Sequence, residues 1–210
     1  MDHAPSAPHE RGHAAFRRAA HGALRLGLKP ALRTLRLRGA WLLAAAFVLL
    51  ARPTSKLLLA GAALALLGVL LRGWAAGTIH KDSELSTGGP YAHTRNPLYL
   101  GSLLIGLGVA VASGRWELLL LFGVFYVVVY GTVIRTEARA LEERFGARYA
   151  GWASEVPLLL PRLLPHRGTG AGDGHGAGFT FERWRRNREY QAALGVLAGF
   201  LYLAARLLLG

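Results

Sequence analysis

The sequence contains no cysteine, and its 12 acidic residues are outnumbered by 25 lysines and arginines. Without cysteine the chain forms no disulfide, holds no thiolate-bound metal and uses no cysteine nucleophile. Histidines at positions 3, 9 and 13 lie in a polar N-terminal tail and are expected to be solvated, so no metal site is predicted. These absences exclude disulfide-stabilised folds and cysteine-dependent enzymes.

Basic residues and apolar runs occupy separate blocks along the chain. The hydrophobic fraction is 52% and the formal net charge is +13, an unusual pair for a soluble domain. A nucleic-acid-binding protein would interleave aromatic with basic residues on a soluble core, and this chain does not. The pattern is typical of a multi-spanning membrane protein whose basic tails meet anionic lipid headgroups.

Five apolar runs predict an all-α integral membrane protein with about five transmembrane helices, arranged as two hairpins plus a C-terminal span. The runs are Gly39–Ala51, Leu57–Leu71 continuing to Ile79, Leu98–Ala112, Leu118–Ile134 and Tyr190–Leu209. The first is shorter than the ~20 residues of a straight span. Gly61 and Gly68 are expected to allow close packing in the first hairpin, and Gly195 with Gly199 to form the packing face of the last helix.

A polar stretch, Gly88–Gly101, separates the second run from the third. Pro97 disfavours helical geometry at Asn96 and suits the first turn of a helix, so a helix is predicted from about Leu98. Such a helix start presents free N–H groups and a positive dipole end to an anion. From composition alone, the simpler interpretation is a membrane-surface loop in which Arg95 faces lipid phosphates.

Two blocks of this region resemble the isoprenylcysteine carboxyl methyltransferase family, integral-membrane enzymes that use S-adenosyl-L-methionine and are related to phospholipid methyltransferases. The first block is Gly89-Pro90-Tyr91, Arg95-Asn96-Pro97, Tyr99 and Gly101. The second is Glu137, Leu141, Phe145-Gly146, Tyr149, Val156-Pro157 and Pro161. Leu71-Arg72 also fits the upstream pattern of the family. The resemblance covers about Leu64 to Pro161.

The resemblance implies S-adenosyl-L-methionine as cofactor and a site built from both blocks. The implied cofactor-binding residues are Gly89, Pro90, Tyr91, Arg95, Asn96, Pro97, Tyr99 and Glu137. The implied catalytic residues are Arg72, Arg95 and Glu137. Physically, Arg95 and the helix start suit the cofactor carboxylate, Glu137 its ammonium or ribose hydroxyls, and Arg72 an anionic acceptor. The simpler alternatives are interfacial arginines and a solvated glutamate.

The sequence departs from the family pattern at three positions. Asn96 stands where eukaryotic members carry histidine, and an amide cannot titrate. Ala138 replaces the second glutamate of the second block, and Trp152 replaces its second tyrosine. The acceptor is therefore less well determined than the cofactor.

The predicted domains are a basic cytoplasmic tail (1–38), a membrane methyltransferase core (39–165), a Gly-rich linker with a basic collar (166–189) and a C-terminal transmembrane helix (190–210). With the N-terminus inside, the inner segments hold 21 of the 25 lysines and arginines. The positive-inside rule then places both blocks, and the active site, on the cytoplasmic face of the inner membrane.

The sequence therefore predicts an S-adenosylmethionine-dependent methyltransferase acting on a lipophilic, membrane-borne small molecule or lipidated substrate, by carboxyl O-methylation. A phospholipid N-methyltransferase of the phosphatidylethanolamine type is the alternative enzyme, and a non-enzymatic membrane scaffold is the alternative class. The two blocks argue against a scaffold, which has no need of this spacing. The last helix is expected to be an anchor or lid outside the cofactor site. The acceptor and the oligomeric state are left open.

Overall fold

The computed structural model describes residue 34 and residues 37–79, 84–166 and 178–209. These residues contain helices and no strand, which confirms the predicted all-α membrane fold. The helices are α1 Leu37–Leu50, α2 Ser55–Thr78, α3 Pro97–Ala112, α4 Trp116–Phe145, α5 Ala147–Glu155, α6 Phe181–Arg186 and α7 Glu189–Leu209, with a 3₁₀ turn, η1, at Gly89–Ala92.

The chain divides into two units, residues 1–42 and residues 43–210. Of the first unit, the structure describes only residue 34 and the beginning of α1. The predicted basic tail with its histidines, and most of the predicted Gly-rich linker, lie outside the described residues. The second unit contains all the predicted site residues.

Among the described helices, α2, α4 and α7 are long and apolar enough to cross a membrane by length and composition. The helices α1 and α3 are apolar but shorter; α3 has 16 residues against the ~20 of a straight span. Large apolar side chains of the long helices are exposed, among them Leu59, Leu66, Val127 and Leu201. Outward-facing apolar surface of this kind suits contact with lipid.

Glycines bring α2 and α3 into backbone contact. A Cβ added at Gly108 would lie 2.5 Å from the carbonyl oxygen of Gly61 and 2.6 Å from the amide nitrogen of Ala65. One added at Gly101 would lie 2.8 Å from the carbonyl oxygen of Gly68. This is the small-residue contact expected between membrane helices. The contact corrects the sequence-based expectation. Gly61 and Gly68 face α3, and not the other helix of the predicted first hairpin.

The helix α7 packs through large side chains instead of the predicted glycine pair. A Cβ added at Gly195 or Gly199 would meet nothing within 4 Å among the described residues, so that expectation is wrong. The buried contact lies nearer the end of α7, where Leu203 packs with Ala51 and Ala112. The C-terminal half of α7 is therefore held at the end of the bundle opposite the polar stretch.

The helix α4 continues well beyond its apolar part. The fourth predicted apolar run ends at Ile134, but α4 extends through a polar part to Phe145. Gly146 has a φ of 54°, a left-handed conformation that favours glycine, and the chain turns there into α5. The extension carries Glu137 to the end of the bundle formed by the end of α2, η1 and the start of α3, called here the loop end.

The contact between α2 and α3 gives a test of the fold. Gly108→Ala should lower the thermal unfolding temperature in detergent, because the two nearest neighbours of the new methyl group are backbone atoms; overpacking of this kind typically costs ~1–3 kcal/mol. Gly123→Ala on α4 is the matched control, since a Cβ there meets nothing within 4 Å in the described structure. Equal unfolding temperatures for the two variants would contradict the packing.

Candidate functional site

The polar stretch between α2 and α3 forms a buried turn. Gly89 has a φ of 59°, a conformation that side chains other than glycine rarely adopt, and Pro90 and Tyr91 are buried in η1 behind it. Tyr91 belongs to a core cluster that joins the end of α2 to α5. The other buried members of that cluster are Ala75, Leu85, Tyr149, Trp152 and Val156.

The two sequence blocks are joined by hydrogen bonds. As predicted, Asn96 is non-helical and α3 begins at Pro97. The side chain of Asn96 does not cap the helix; its Nδ2 donates to the carbonyl oxygen of Leu158 at 2.9 Å. The backbone N–H of Arg95 donates to the carbonyl oxygen of Pro157, also at 2.9 Å. The start of α3 is thus fixed to the segment that follows α5.

The side chain of Arg95 lies against the second block. Its Nη1 donates to the hydroxyl of Tyr149 at 3.4 Å. Its Nε is buried and finds no hydrogen-bond acceptor in the described part of the chain. The same is true of Nε1 of Trp152, whose ring lies 5.8 Å from that of Tyr149. Two buried donors near Tyr149 therefore have no acceptor within the described residues.

Glu137 is brought to the first turn of α3. The hydroxyl of Tyr99 donates to Oε1 of Glu137 at 2.6 Å, which links α3 to the extension of α4. The ring of Tyr99 also packs edge-on against Tyr130, with centroids 5.6 Å apart. Glu137 itself is exposed, so its carboxylate can accept further hydrogen bonds from the solvent side.

The hydroxyl of Tyr91 is a third buried donor, and charged side chains lie near it. Its side chain is nearly inaccessible, and its hydroxyl has no hydrogen-bond partner among the described residues. Burial raises the pKa of Tyr91 well above its ordinary value. The carboxylates of Glu137 and Glu189 raise it further, and the guanidinium of Arg72 opposes them. The phenol therefore stays protonated and available as a donor.

Arg72 is bound by a carboxylate of the same chain. Its Nε donates to Oε2 of Glu189 at 3.0 Å and its Nη2 to Oε1 at 2.8 Å. Its Nη1 donates to the carbonyl oxygen of Leu98 at 3.3 Å and to Oγ of Ser102 at 2.5 Å. Arg72 thus joins α2 to the start of α3 and to the start of α7.

The segment 178–189, called here the C-terminal segment, covers the end of α2. The backbone N–H of Thr180 and Nε of Arg183 donate to the carbonyl oxygen of Gly77 at 2.9 and 2.8 Å. Nδ2 of Asn187 donates to the carbonyl oxygen of Ala76 at 2.7 Å. These bonds satisfy carbonyls that the helix leaves unpaired at its C-terminus.

This docking adds two contacts to the predicted basic collar. Arg183 is 9% exposed and bonded to backbone carbonyls. Glu189, the last residue of the predicted collar and the first of α7, contacts Arg72. Sequence reasoning missed Glu189, and its one signal is a lone carboxylate directly after an arginine-rich run.

The predicted site residues all lie at the loop end. Tyr149 and Glu189 form hydrogen bonds with two of them, and Trp152 packs against Tyr149. Hydroxyl, guanidinium and indole donors without acceptors suit a ligand with carboxylate, ribose and purine acceptors, and Glu137 suits an ammonium group or a hydroxyl. The residues present therefore fit the cofactor that the family resemblance implies.

Comparison with known proteins supports the same family. A family model described as phospholipid methyltransferase matches residues 56–148. That range contains Arg72, the first block and the start of the second, and it confirms the resemblance inferred from the motifs. No solved structure matches the chain at a significant level.

Three curated proteins are similar to parts of the chain. The cobalt-zinc-cadmium resistance protein CzcN of Cupriavidus metallidurans is 34% identical over 122 residues, which are 55% of this chain and 56% of that protein. A protein-S-isoprenylcysteine O-methyltransferase of Schizosaccharomyces pombe is 34% identical over 86 residues, 41% and 36% of the two chains. The nickel-cobalt-cadmium resistance protein NccN of Alcaligenes xylosoxydans xylosoxydans is 30% identical over 83 residues, 40% and 38%. The chain thus spans between about a third and just over half of these relatives.

The buried hydroxyl of Tyr91 predicts an unusual stability effect. Tyr91→Phe should keep or raise the thermal unfolding temperature of the ligand-free protein, because a buried polar group without a partner costs ~1–3 kcal/mol. Tyr149→Phe is the matched control, since it removes an acceptor that Arg95 uses, and it should lower that temperature. An equal loss of stability in both variants would contradict the assignment of Tyr91 as an unpaired donor.

Proposed function

We propose that this chain, which matches the phospholipid methyltransferase family over residues 56–148, is a membrane methyltransferase that uses S-adenosyl-L-methionine. The proposal rests chiefly on one observation. The two motif blocks meet at the loop end. Three buried donors there, the hydroxyl of Tyr91, Nε of Arg95 and Nε1 of Trp152, lack acceptors within the described chain. A membrane scaffold has no use for such an arrangement, whereas a polar ligand supplies the missing acceptors.

The residues divide into roles by their charge. When bound, the cofactor supplies an electrophilic methyl group on a sulfonium. Arg95 and the free N–H groups at the start of α3 suit its carboxylate. Glu137, oriented by Tyr99, suits its ammonium or ribose hydroxyls. The chain contributes position and charge complementarity, which are the main contributions to a displacement of this kind.

The acceptor we propose is lipophilic and reaches the loop end from the bilayer. Exposed apolar side chains along α2 and α4 support this proposal, because they suit contact with a lipophilic molecule. Carboxyl O-methylation of an isoprenoid-like acid is the first candidate, since it needs no general base. N-methylation of a phospholipid amine is the second, and the description of the matching family favours it.

We further propose that the loop end is cytoplasmic and that the protein lies in the inner membrane. By sequence, the segments that lie on the inner side when the N-terminus is inside hold 21 of the 25 lysines and arginines, and they include the loop end. The positive-inside rule orients the chain accordingly. A cytoplasmic site also meets a cofactor that is made in the cytoplasm.

Cofactor binding should be measurable directly in detergent. We expect S-adenosylmethionine or its demethylated product to raise stability by ~2.7 kcal/mol at a hundredfold excess over the dissociation constant. Thermal unfolding and titration calorimetry are the measurements. No heat and no stabilisation at millimolar cofactor would refute the proposed function.

Single substitutions should separate the site from general stability. Arg95→Ala and Glu137→Ala should each weaken cofactor binding, Arg95 by the ~1.5–3 kcal/mol typical of a hydrogen bond to a charged group. Arg185→Ala is the control, because Arg185 is exposed on α6 and belongs to neither block. Equal losses in all three variants would indicate destabilisation instead of a lost contact.

The acceptor can be identified without prior assumption. Purified protein is incubated with methyl-labelled cofactor and a lipid extract of the host membrane, and the labelled product is isolated. A labelled methyl ester would select O-methylation, and a labelled methylamine headgroup would select N-methylation. Transfer to neither, by protein that binds the cofactor, would contradict a lipid acceptor.

A further inference from the structure

Arg72 is arranged to receive an anion at the candidate site. Two of its nitrogens face Glu189 in the fork geometry with which a guanidinium binds a carboxylate. The third donates to Leu98 and Ser102, and these bonds fix the guanidinium plane against α3. The carboxylate-facing edge of Arg72 is therefore already oriented, and it adjoins the turn that carries Tyr91.

Glu189 is not needed to hold the C-terminal segment in place. That segment bonds the last carbonyls of α2 through Thr180, Arg183 and Asn187. The ring of Phe179 also lies where a side chain at Gly77 would be. Glu189 is the first residue of α7, so its side chain can leave Arg72 while these contacts persist. The ion pair is an added contact on a segment that is already docked.

We propose that Arg72 is the binding subsite for the carboxylate of the acceptor and that Glu189 is its built-in competitor. The inference rests on the proposed function and selects a carboxylic acid over an amine as the acceptor. An acceptor carboxylate that reaches the loop end exchanges with Glu189 on Arg72. The amine of a phospholipid cannot make this exchange, because its charge has the same sign as the guanidinium. The phosphate of that lipid could bind Arg72, but it keeps its charge when the amine is methylated, so only a carboxylate loses its hold on Arg72 on methylation.

Competition by Glu189 also favours release of the methylated product. Methylation joins the methyl carbon to a carboxylate oxygen and breaks its bond to the donor sulfur, so the acid becomes a neutral ester and the sulfonium a neutral thioether. No proton is transferred. The ester lacks the charge that holds a carboxylate on Arg72. Glu189 then returns to the guanidinium and displaces the product.

The test measures ligand binding without any methyl donor. The probes are N-acetyl-S-farnesylcysteine, which carries a free carboxylate, and its methyl ester, titrated by calorimetry into protein in detergent. Glu189→Gln keeps the shape of the side chain and removes its charge, so we expect it to bind the acid about tenfold more tightly than the wild type. The affinity for the ester should not change.

Two controls accompany this variant. Glu182→Gln removes a carboxylate from the same segment that is exposed and pairs only loosely with Arg186, at 4.0 Å, and should leave both affinities unchanged. The double variant Arg72→Gln/Glu189→Gln keeps a neutral hydrogen-bonding pair and should bind acid and ester equally. If Glu189→Gln does not fold, the comparison of the wild type with the double variant tests the inference, because only the wild type should bind the acid more tightly than the ester.

The inference is overturned if wild type and Glu189→Gln bind the acid equally, or if Glu189→Gln weakens both ligands alike. The second result would mean that Glu189 only stabilises the loop end. Failure of this inference can be distinguished from failure of the proposed function. Cofactor binding and labelled transfer can succeed while the acid does not compete with Glu189, and the acid can compete in a protein that binds no cofactor.

Discussion

The close approach of α2 and α3 determines the geometry of the loop end. Where Gly61 and Gly68 meet Gly108 and Gly101, the two backbones touch, and a side chain at any of these positions would separate them. The contact brings Arg72 within hydrogen-bonding distance of α3 and holds the turn between the two helices in a compact, buried form. The site is therefore a consequence of helix packing, with the polar residues added at the end of a tightly packed pair.

A second requirement acts where the helices end. A buried helix terminus leaves backbone groups that must find partners, and here they find them in segments distant in sequence. The carbonyls of Ala76 and Gly77 are bonded by the C-terminal segment. The carbonyls of Pro157 and Leu158, in the non-helical segment after α5, are likewise bonded by the residues just before α3. The same bonds that satisfy the backbone also place Arg95 and Glu189 at the site.

The parts predicted well from sequence are those encoded locally. Long apolar runs fix the helices, and Pro97 fixes the start of α3. The helix partners were not predictable in this way, since a glycine pattern indicates close contact but not which helix provides it. Glu189 could not be predicted either, because its role depends on a docking contact across 117 residues of sequence. A run of arginines is usually solvated, and the burial of Arg183 follows only from its position over the end of α2.

The unpaired donors connect the stability of this protein to ligand binding. A buried donor without an acceptor costs ~1–3 kcal/mol, and the loop end holds three of them within the described chain, in Tyr91, Arg95 and Trp152. A domain is stable by only ~5–15 kcal/mol in total, so three such groups are a substantial fraction. A ligand that supplies the acceptors removes this cost in the complex alone. Under the proposed function, part of the affinity for the ligand therefore originates in these unpaired donors of the free protein, and a substitution that removes one of them should stabilise the free protein and weaken ligand binding together.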